Sequence, residues 1–440
     1  MLDPERASNL RRDPGGRYDK SMDLKLSGVL ACLMLLAGCS GQAESDVLRN
    51  DSPAGNRTSP QRSESRGSEE EQQDLAPRKD RPLLVDSTYH VYPGDDIQEV
   101  LEIAAKDAAN KTVIVHAGTY RPRRPGQALI WFNRTHDGIT VQGSGKVILT
   151  AANPDLASKD AASYPAIVNH VVFFGDGISR RTVLRGFHLT GANNFMAQPE
   201  DLGQIEPDSP EPALKKGFLF YADGGAIKIF GRSYPTIEDV EIYDNYTSPC
   251  GAGISVEHRG FVENSVLIRN SIFRNNRTQI TGSAVDLLRG SSAVIENCLF
   301  VGNISNAGDD YISLAGEEYN RINGSGALTV FPQSKVKVDR CTFTGNWNGV
   351  DDKGRGNSYT NTIFWRNNIQ GGINPGGRYE IDILDGSGVS GCLLGGDISD
   401  LRASVDRDKN FLDAPDPDFD HLYRPRAREY AGAGYRPASE

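Results

Sequence analysis

Apolar and polar residues alternate with a period of two through a motif that recurs along most of the chain: RTVLRGFHL, PTIEDVEIYDN, SVLIRNSIFRNN, AVIENCLFVGN, VKVDRCTFTGN, SYTNTIFWRN and SGVSGCLL. Period two marks strands. The copies align on Leu189, Ile242, Phe273, Phe300, Phe343, Phe364 and Leu394, with steps of roughly 20 to 50 residues, as expected of coils carrying variable loops. Between the two short strands of each copy stands Gly186, Asp239, Asn270, Asn297, Arg340, Asn361 or Gly391. All but Arg340 tolerate the left-handed backbone that a tight bend requires. A further strand follows most copies: GGAIKIFG, GAGISVEHRG, GSAVDLLRG, SGALTVFPQ, NGVDDKGRG and YEIDILDG. Burying Ile227, Ile229, Ile254, Val256, Val285, Leu287, Leu328, Val330, Val350, Ile381 and Ile383 fixes its register, since a slip of one residue would bury Lys, Asp and Glu. Asp352 is the one misfit. Stacked coils of parallel strands are predicted, each burying its face on its neighbours.

Ahead of the repeat, Asp95 to Asp107 has helical spacing, with Ile97, Val100, Leu101, Ile103 and Ala104 on one face, and the strand Val113 to Tyr120 follows. Such a helix can cover the first coil of a stack. The pair Tyr92-Pro93-Gly94-Asp95-Asp96 and Ala117-Gly118-Thr119-Tyr120 resembles the N-terminal cap of the pectin lyase-like superfamily, and the Asn-rich bend column resembles the asparagine ladder of right-handed β-helices. The resemblance covers residues 83–440. It implies an all-β chain, a right-handed parallel β-helix solenoid with an N-terminal capping helix. Asp406 to Gly434 is similar to the closing segment of bacterial β-helix proteins, which runs back along the last coils and covers their exposed edge.

Residues 1–39 read as an N-terminal extension and an export signal. Lys25 precedes the apolar run Leu26 to Leu36, too short to span a bilayer. The run ends in Leu36-Ala37-Gly38-Cys39, which resembles a bacterial lipobox whose Cys39 is lipidated; Met22 is an alternative start, and Ser40 resembles outer-membrane sorting. Residues 40–82, rich in Ser, Glu, Arg, Asp and Gln, form a polar linker without enough apolar surface to fold. The expected location is the bacterial cell envelope, with the body lipid-anchored at the outer membrane or cell surface.

Composition adds two points. The 47 glycines among 440 residues suit a turn-rich β protein, and the net charge of -10 argues against nucleic acid while leaving room for a local basic cluster that grips an acidic sugar polymer. A monomer is expected. Cys298, Cys341 and Cys392 occupy one inward position of three coils. They read as a core column of small thiols, with a disulfide between coils as the alternative; no spacing resembles a zinc site.

The chosen register turns two columns outward: Lys228, Ser255, Asp286, Thr329, Asp351 and Asp382, then Phe230, Glu257, Leu288, Phe331, Lys353 and Leu384, with His258, Arg259, Arg289 and Arg355 just past the strand ends. A mixture of carboxylates, bases and exposed aromatics points to a functional face, with an ordinary solvated face as the competing reading. In the pectin lyase-like superfamily the corresponding sheet forms the polysaccharide groove. Asp286, Asp351, Asp382, His258, Lys228 and Lys353 are the catalytic candidates. Glu257, Arg259, Arg289, Phe230, Phe331, Arg355 and Tyr311 are the substrate-binding candidates. Two long insertions, Ala192 to Asp223 with Phe195, Phe218, Phe220 and Tyr221, and Ile304 to Gly324 with Asp309, Asp310, Tyr311 and Tyr319, could wall the groove.

Coils about 4.8 Å apart put Asp286 and Asp351 roughly 10 Å apart, near the separation of inverting glycosidases, and Asp351 and Asp382 nearer the retaining distance. A lyase would instead need a cation, Arg or Ca²⁺, to neutralise a uronate, and a base to take the neighbouring carbon-bound proton. No catalytic signature selects between them. The sequence therefore predicts an enzyme that cleaves an acidic polysaccharide by lyase or hydrolase chemistry, with a non-catalytic carbohydrate-binding or adhesion module, or a structural surface protein, as alternatives. No cofactor is demanded; Ca²⁺ stays open.

Overall fold

The computed structural model describes residues 83–123, 126–152, 168–194, 223–247, 250–305, 322–367, 379–395, 405–412 and 414–437. Cys39, Tyr311, the leader, the linker and the aromatic and acidic residues singled out in the two insertions lie outside the described residues.

The described chain winds through a 19-stranded sheet, an 8-stranded sheet and a 3-stranded sheet. Nearly all pairings are parallel, and successive strands of one sheet come from successive coils. The 8-stranded sheet carries the candidate site. Its strands are β1 (Gly126–Phe132), β2 (Val168–Phe174), β3 (Ile227–Phe230), β4 (Ile254–Glu257), β5 (Val285–Leu287), β6 (Leu328–Val330), β7 (Val350–Asp352) and β8 (Ile381–Ile383). The large sheet holds both short strands of each repeat, and its pairings join Leu189, Ile242, Phe273, Phe300, Phe343, Phe364 and Leu394 in one column.

That column is the spine of the core. The rings of Phe273, Phe300, Phe343 and Phe364 stack with centroids 4.8, 4.1 and 5.2 Å apart, all fully buried, where offset aromatic pairs add to the gain from area burial. In the 8-stranded sheet, Ile227, Ile254, Val285, Leu328, Val350 and Ile381 line up in register and are buried. Asp352 does point into this layer. It is tolerated because Gly354 N, Asn357 Nδ2 and Tyr359 Oη donate to its carboxylate at 2.7, 2.8 and 2.9 Å.

The bends follow the predicted column, Arg340 included: Asp239, Asn270, Asn297, Arg340 and Asn361 have φ between 49° and 52°. That column holds one amide rung, Asn297 Nδ2 donating to Asn270 Oδ1 at 2.9 Å; the continuous ladder of stacked amides is a second column, six residues further on. Asn245 Nδ2 donates to Asn276 Oδ1, Asn276 to Asn303, Asn303 to Asn346 and Asn346 to Asn367, at 2.8 to 3.0 Å. Asn367 in turn donates to Glu380 Oε2 at 2.6 Å. Each ladder residue follows a second left-handed position, at Asp244, Asn275, Gly302, Gly345 and Arg366. A bend diverts the next backbone N–H from the strand ladder, and a side-chain oxygen of the following coil satisfies it: Asn303 Oδ1 accepts from Asn276 N, and Asn346 Oδ1 from Asn303 N.

Cysteines serve the same need at the first bend. Cys341 Sγ accepts from Cys298 N at 3.4 Å, as Thr362 Oγ1 does from Cys341 N at 3.3 Å and Ser271 Oγ from Val240 N at 3.4 Å. Ser, Cys and Thr share the column because each is small and offers one donor and one acceptor. Cys250, Cys298, Cys341 and Cys392 are free thiols, all buried.

Helix α1 (Ile97–Lys106) is N-capped by Asp96, whose side chain accepts from Gln98 N and Glu99 N, and it buries Ile97, Val100, Leu101 and Ala104. Ile103, expected on that face, is exposed. Gln98 accepts from Trp131 N at 2.8 Å and donates to Trp131 O at 3.2 Å, which closes the free edge of β1. At the other end, residues 414–437 turn back over the stack. Phe419, Ala427, Tyr430 and Ala433 pack on Ile363, Trp365 and Leu393, and Gly434 N, Tyr435 N and Arg436 N donate to Asn361 O, Thr342 Oγ1 and Asn297 Oδ1 on successive coils.

Candidate functional site

The register places Lys228, Ser255, Asp286, Thr329, Asp351 and Asp382 in one outward column, continued by Phe173 and Trp131. Solvation is where expectation fails. Lys228, Ser255, Asp286 and Thr329 are fully buried, and Asp351 and Asp382 are 4% and 2% exposed. Before β3 to β6 the chain makes a turn at a glycine of positive φ, Gly224, Gly251, Gly282 and Gly324, that lies flat against the column. A Cβ on Gly251 would stand 2.6 Å from Ser255 Cβ, one on Gly282 2.5 Å from Asp286 Cβ, and one on Gly324 2.6 Å from Asp351 Cγ. Only glycine permits this approach, and the turns roof the sheet.

Two buried charge clusters result. In the first, Lys228 Nζ donates to Asp223 Oδ2 at 2.6 Å and Glu257 Oε2 at 2.9 Å; Ser255 Oγ donates to Asp223 Oδ2 at 2.8 Å, and Arg259 Nε to Glu257 Oε1 at 2.9 Å. Burial would lower the Lys228 ammonium, but Asp223 and Glu257 hold it above its ordinary value. Burial likewise pushes the Glu257 carboxyl up, and Lys228 and Arg259 outweigh it and keep it ionised. Asp286, one coil beyond Ser255, receives Thr281 Oγ1 at 3.0 Å and no lysine. Burial, with Asp223 nearby, pushes its carboxyl well above the usual range.

In the second cluster Lys353 Nζ bridges Asp351 Oδ1 at 2.6 Å and Asp382 Oδ2 at 2.8 Å. Asp351 Oδ2 also accepts from Ser325 N at 2.8 Å and from the Tyr379 hydroxyl. Asp351 and Asp382 are thus clamped together by one ammonium on neighbouring rungs, an arrangement that cross-links coils and leaves no open carboxylate pair.

His258, expected beside the groove, is fully buried in the turn after β4. Its Nε2 donates to Ser233 O at 2.9 Å and its Nδ1 accepts from Ser292 N at 3.2 Å. Burial pushes its pKa down to about 4, so it is neutral and structural. The aromatics are buried too. Phe230 packs with Ala128 and Phe173 and lies under the Arg259 guanidinium at 4.8 Å; Phe331 is 5% exposed.

Exposure is concentrated on the turn after the sheet. Arg134, Arg232, Arg259, Arg289 and Arg355 follow β1, β3, β4, β5 and β7 by two or three residues. Asp176 pairs with Arg134 and Arg232, both at 3.0 Å, and Glu257 with Arg259. Arg289 and Arg355 are exposed; the Asp385 carboxyl, lowered chiefly by hydrogen bonds from Ser387, also feels the charge of Arg355. The exposed ring of Phe261 lies 5.1 Å from the Arg232 guanidinium.

The sequence reading missed Asp223, Cys250, Tyr379, Arg134, Arg232 and Phe261. The first two had a signal. Asp223, Cys250 and Thr281 each stand immediately before the turn glycine and five residues before the outward residue of their coil.

Residues 130–317 match the family model described as right handed beta helix region. No curated protein matches the chain. The parallel register and this match agree with the resemblance to the pectin lyase-like superfamily, and the described coils fold as a right-handed parallel β-helix.

Proposed function

We propose that this protein is an acidic-polysaccharide-binding β-helix, exported and lipid-anchored at the bacterial cell envelope through Cys39. The supporting observation is the arginine row, Arg134, Arg232, Arg259, Arg289 and Arg355, set on one turn along the solenoid axis. Adjacent coils lie about 4.8 Å apart, close to the length of one sugar residue; Arg232, Arg259 and Arg289 stand on consecutive coils, and Arg134 and Arg355 two coils beyond them on either side, so guanidiniums can meet the carboxylates of a uronate chain at one- and two-residue steps. Arginine suits this because its planar fork grips a carboxylate with paired hydrogen bonds. Phe261 supplies an apolar ring for a sugar face. Binding fits better than cleavage because the acids and bases that could perform lyase or hydrolase chemistry, Lys228, His258, Asp286, Asp351, Lys353 and Asp382, are buried and, Asp286 apart, tied to charged or backbone partners.

Calorimetry on the purified protein with polygalacturonate, alginate and a neutral glucan tests the reading. Expected are binding to the polyuronates alone, weakening with salt, and a loss of about tenfold when Arg289 and Arg355 are both changed to Ala, on the order of 1.4 kcal/mol. Equal affinity for the neutral glucan, or an unchanged affinity in the double variant, overturns it. Release of unsaturated or reducing ends would instead make the protein an enzyme.

A further inference from the structure

We propose that Asp223, Cys250 and Asp286 form a site for a divalent transition-metal ion, with Zn²⁺ the best fit. One residue comes from each of three consecutive coils: Asp223 and Cys250 from stacked turn positions and Asp286 from β5. One ligand atom from each lies within 4.8 Å of the others, and all three side chains are buried.

A second observation points to a ligand. Asp223 Oδ1 is a buried carboxylate oxygen with no hydrogen-bond partner, although Asp223 Oδ2 is used by Lys228 and Ser255; the Asp286 carboxyl beside it takes Thr281 Oγ1 and the Cys250 thiol. Buried carboxylate oxygens are normally satisfied, and an orphaned one beside a thiol and a second carboxyl calls for a cation.

Donor chemistry selects the ion. Ca²⁺ takes six to eight oxygen ligands and does not use thiolate. A thiolate with two carboxylates suits Zn²⁺, at about 2.3 Å for sulfur and about 2.0 to 2.2 Å for oxygen, with the fourth tetrahedral position left to water. The tetrahedron drawn by those bonds has edges of roughly 3.5 Å, so small side-chain rotations close the group. Charge agrees. Asp223, Glu257, Asp286 and the Cys250 thiolate carry four negative charges, which Lys228, Arg259 and a divalent ion cancel. Without the ion, burial keeps the protons on Cys250 and Asp286, and binding expels them.

The test is titration of the metal-free full chain with Co²⁺, followed by its thiolate-to-cobalt absorption in the near ultraviolet, with Zn²⁺ as competitor. One equivalent should generate the band and Zn²⁺ should abolish it. Cys250→Ser should lose the band, Asp286→Asn should weaken Co²⁺ binding at least tenfold, and Cys298→Ser should keep it, since that thiol belongs to the core column. Circular dichroism checks the fold of each variant, and elemental analysis of the untreated wild type gives a readout independent of them all. A folded wild type that binds no Co²⁺, or a band that persists in Cys250→Ser, overturns the proposal.

Discussion

At the scale of single residues, the turn glycines decide what the sheet presents. Alternation revealed which side chains point out, because a one-residue slip would have buried Lys228, Asp286 and Asp382. It could not reveal that the chain folds back over them. That information lies in the phase of Gly251 and Gly282 relative to the strand that follows, a relation between two turns of the backbone to which polarity patterns are blind. Gly282 makes the point testable. Its φ is 59°, and a methyl there would meet Asp286 Cβ at 2.5 Å. Left-handed backbone costs a non-glycine residue about 1–2 kcal/mol and overpacking about 1–3 more. Gly282→Ala should therefore lose about 2–5 kcal/mol in chemical denaturation, and a loss below about 0.5 kcal/mol would mean that the turn does not press on the column.

At the scale of elements, two kinds of column coexist and were easily confused. The bend column reads Asp239, Asn270, Asn297, Arg340, Asn361, a mixture chosen for tolerance of positive φ. The hydrogen-bonding column reads Asn245, Asn276, Asn303, Asn346, Asn367, unmixed because only an amide can accept from one coil and donate to the next. Uniformity, not asparagine content, distinguishes them. The amide column ends on Glu380, whose carboxyl burial pushes up to about 7 although Asn367 donates to it. An unfolded glutamate titrates near 4.3. Between those values the native chain holds a proton that the unfolded chain has released, so the stability that Glu380 contributes is fully present below about 4.3 and is lost as pH rises to about 7, by roughly 3–4 kcal/mol. Glu380→Gln retains an acceptor for Asn367 and should flatten that part of the profile. Denaturant midpoints at pH 4.5 and 7.5 that differ equally in wild type and variant would remove Glu380 as the cause.

At the scale of the molecule, a solenoid's stability is a sum of coils and their interfaces, and its weak points are the two ends. Both covers were legible in outline, one from helical spacing at Asp95 to Asp107, the other from the Asp- and Pro-rich stretch after Asp406. The first works through the Gln98 amide on Trp131 as much as through apolar area, a contact of 33 residues' separation that local pattern cannot show. The arginine row was half legible. Arg259, Arg289 and Arg355 stood out beside strands of clear register, whereas Arg134 follows a strand that precedes the recurring motif, and Arg232 was passed over although the strand Ile227–Phe230 before it was phased.

The returning C-terminal segment acts as a lace drawn through eyelets. Gly434, Tyr435 and Arg436 are stitched to coils that the chain laid down earlier, the last of them 139 residues back at Asn297. Coils that would otherwise peel off singly must then come loose together, so the final turns behave as one cooperative block. A chain ending at Ala433 should show faster amide hydrogen exchange as far back as Asn297, and acceleration confined to the coil of Leu393 would mean that the lace bears no tension.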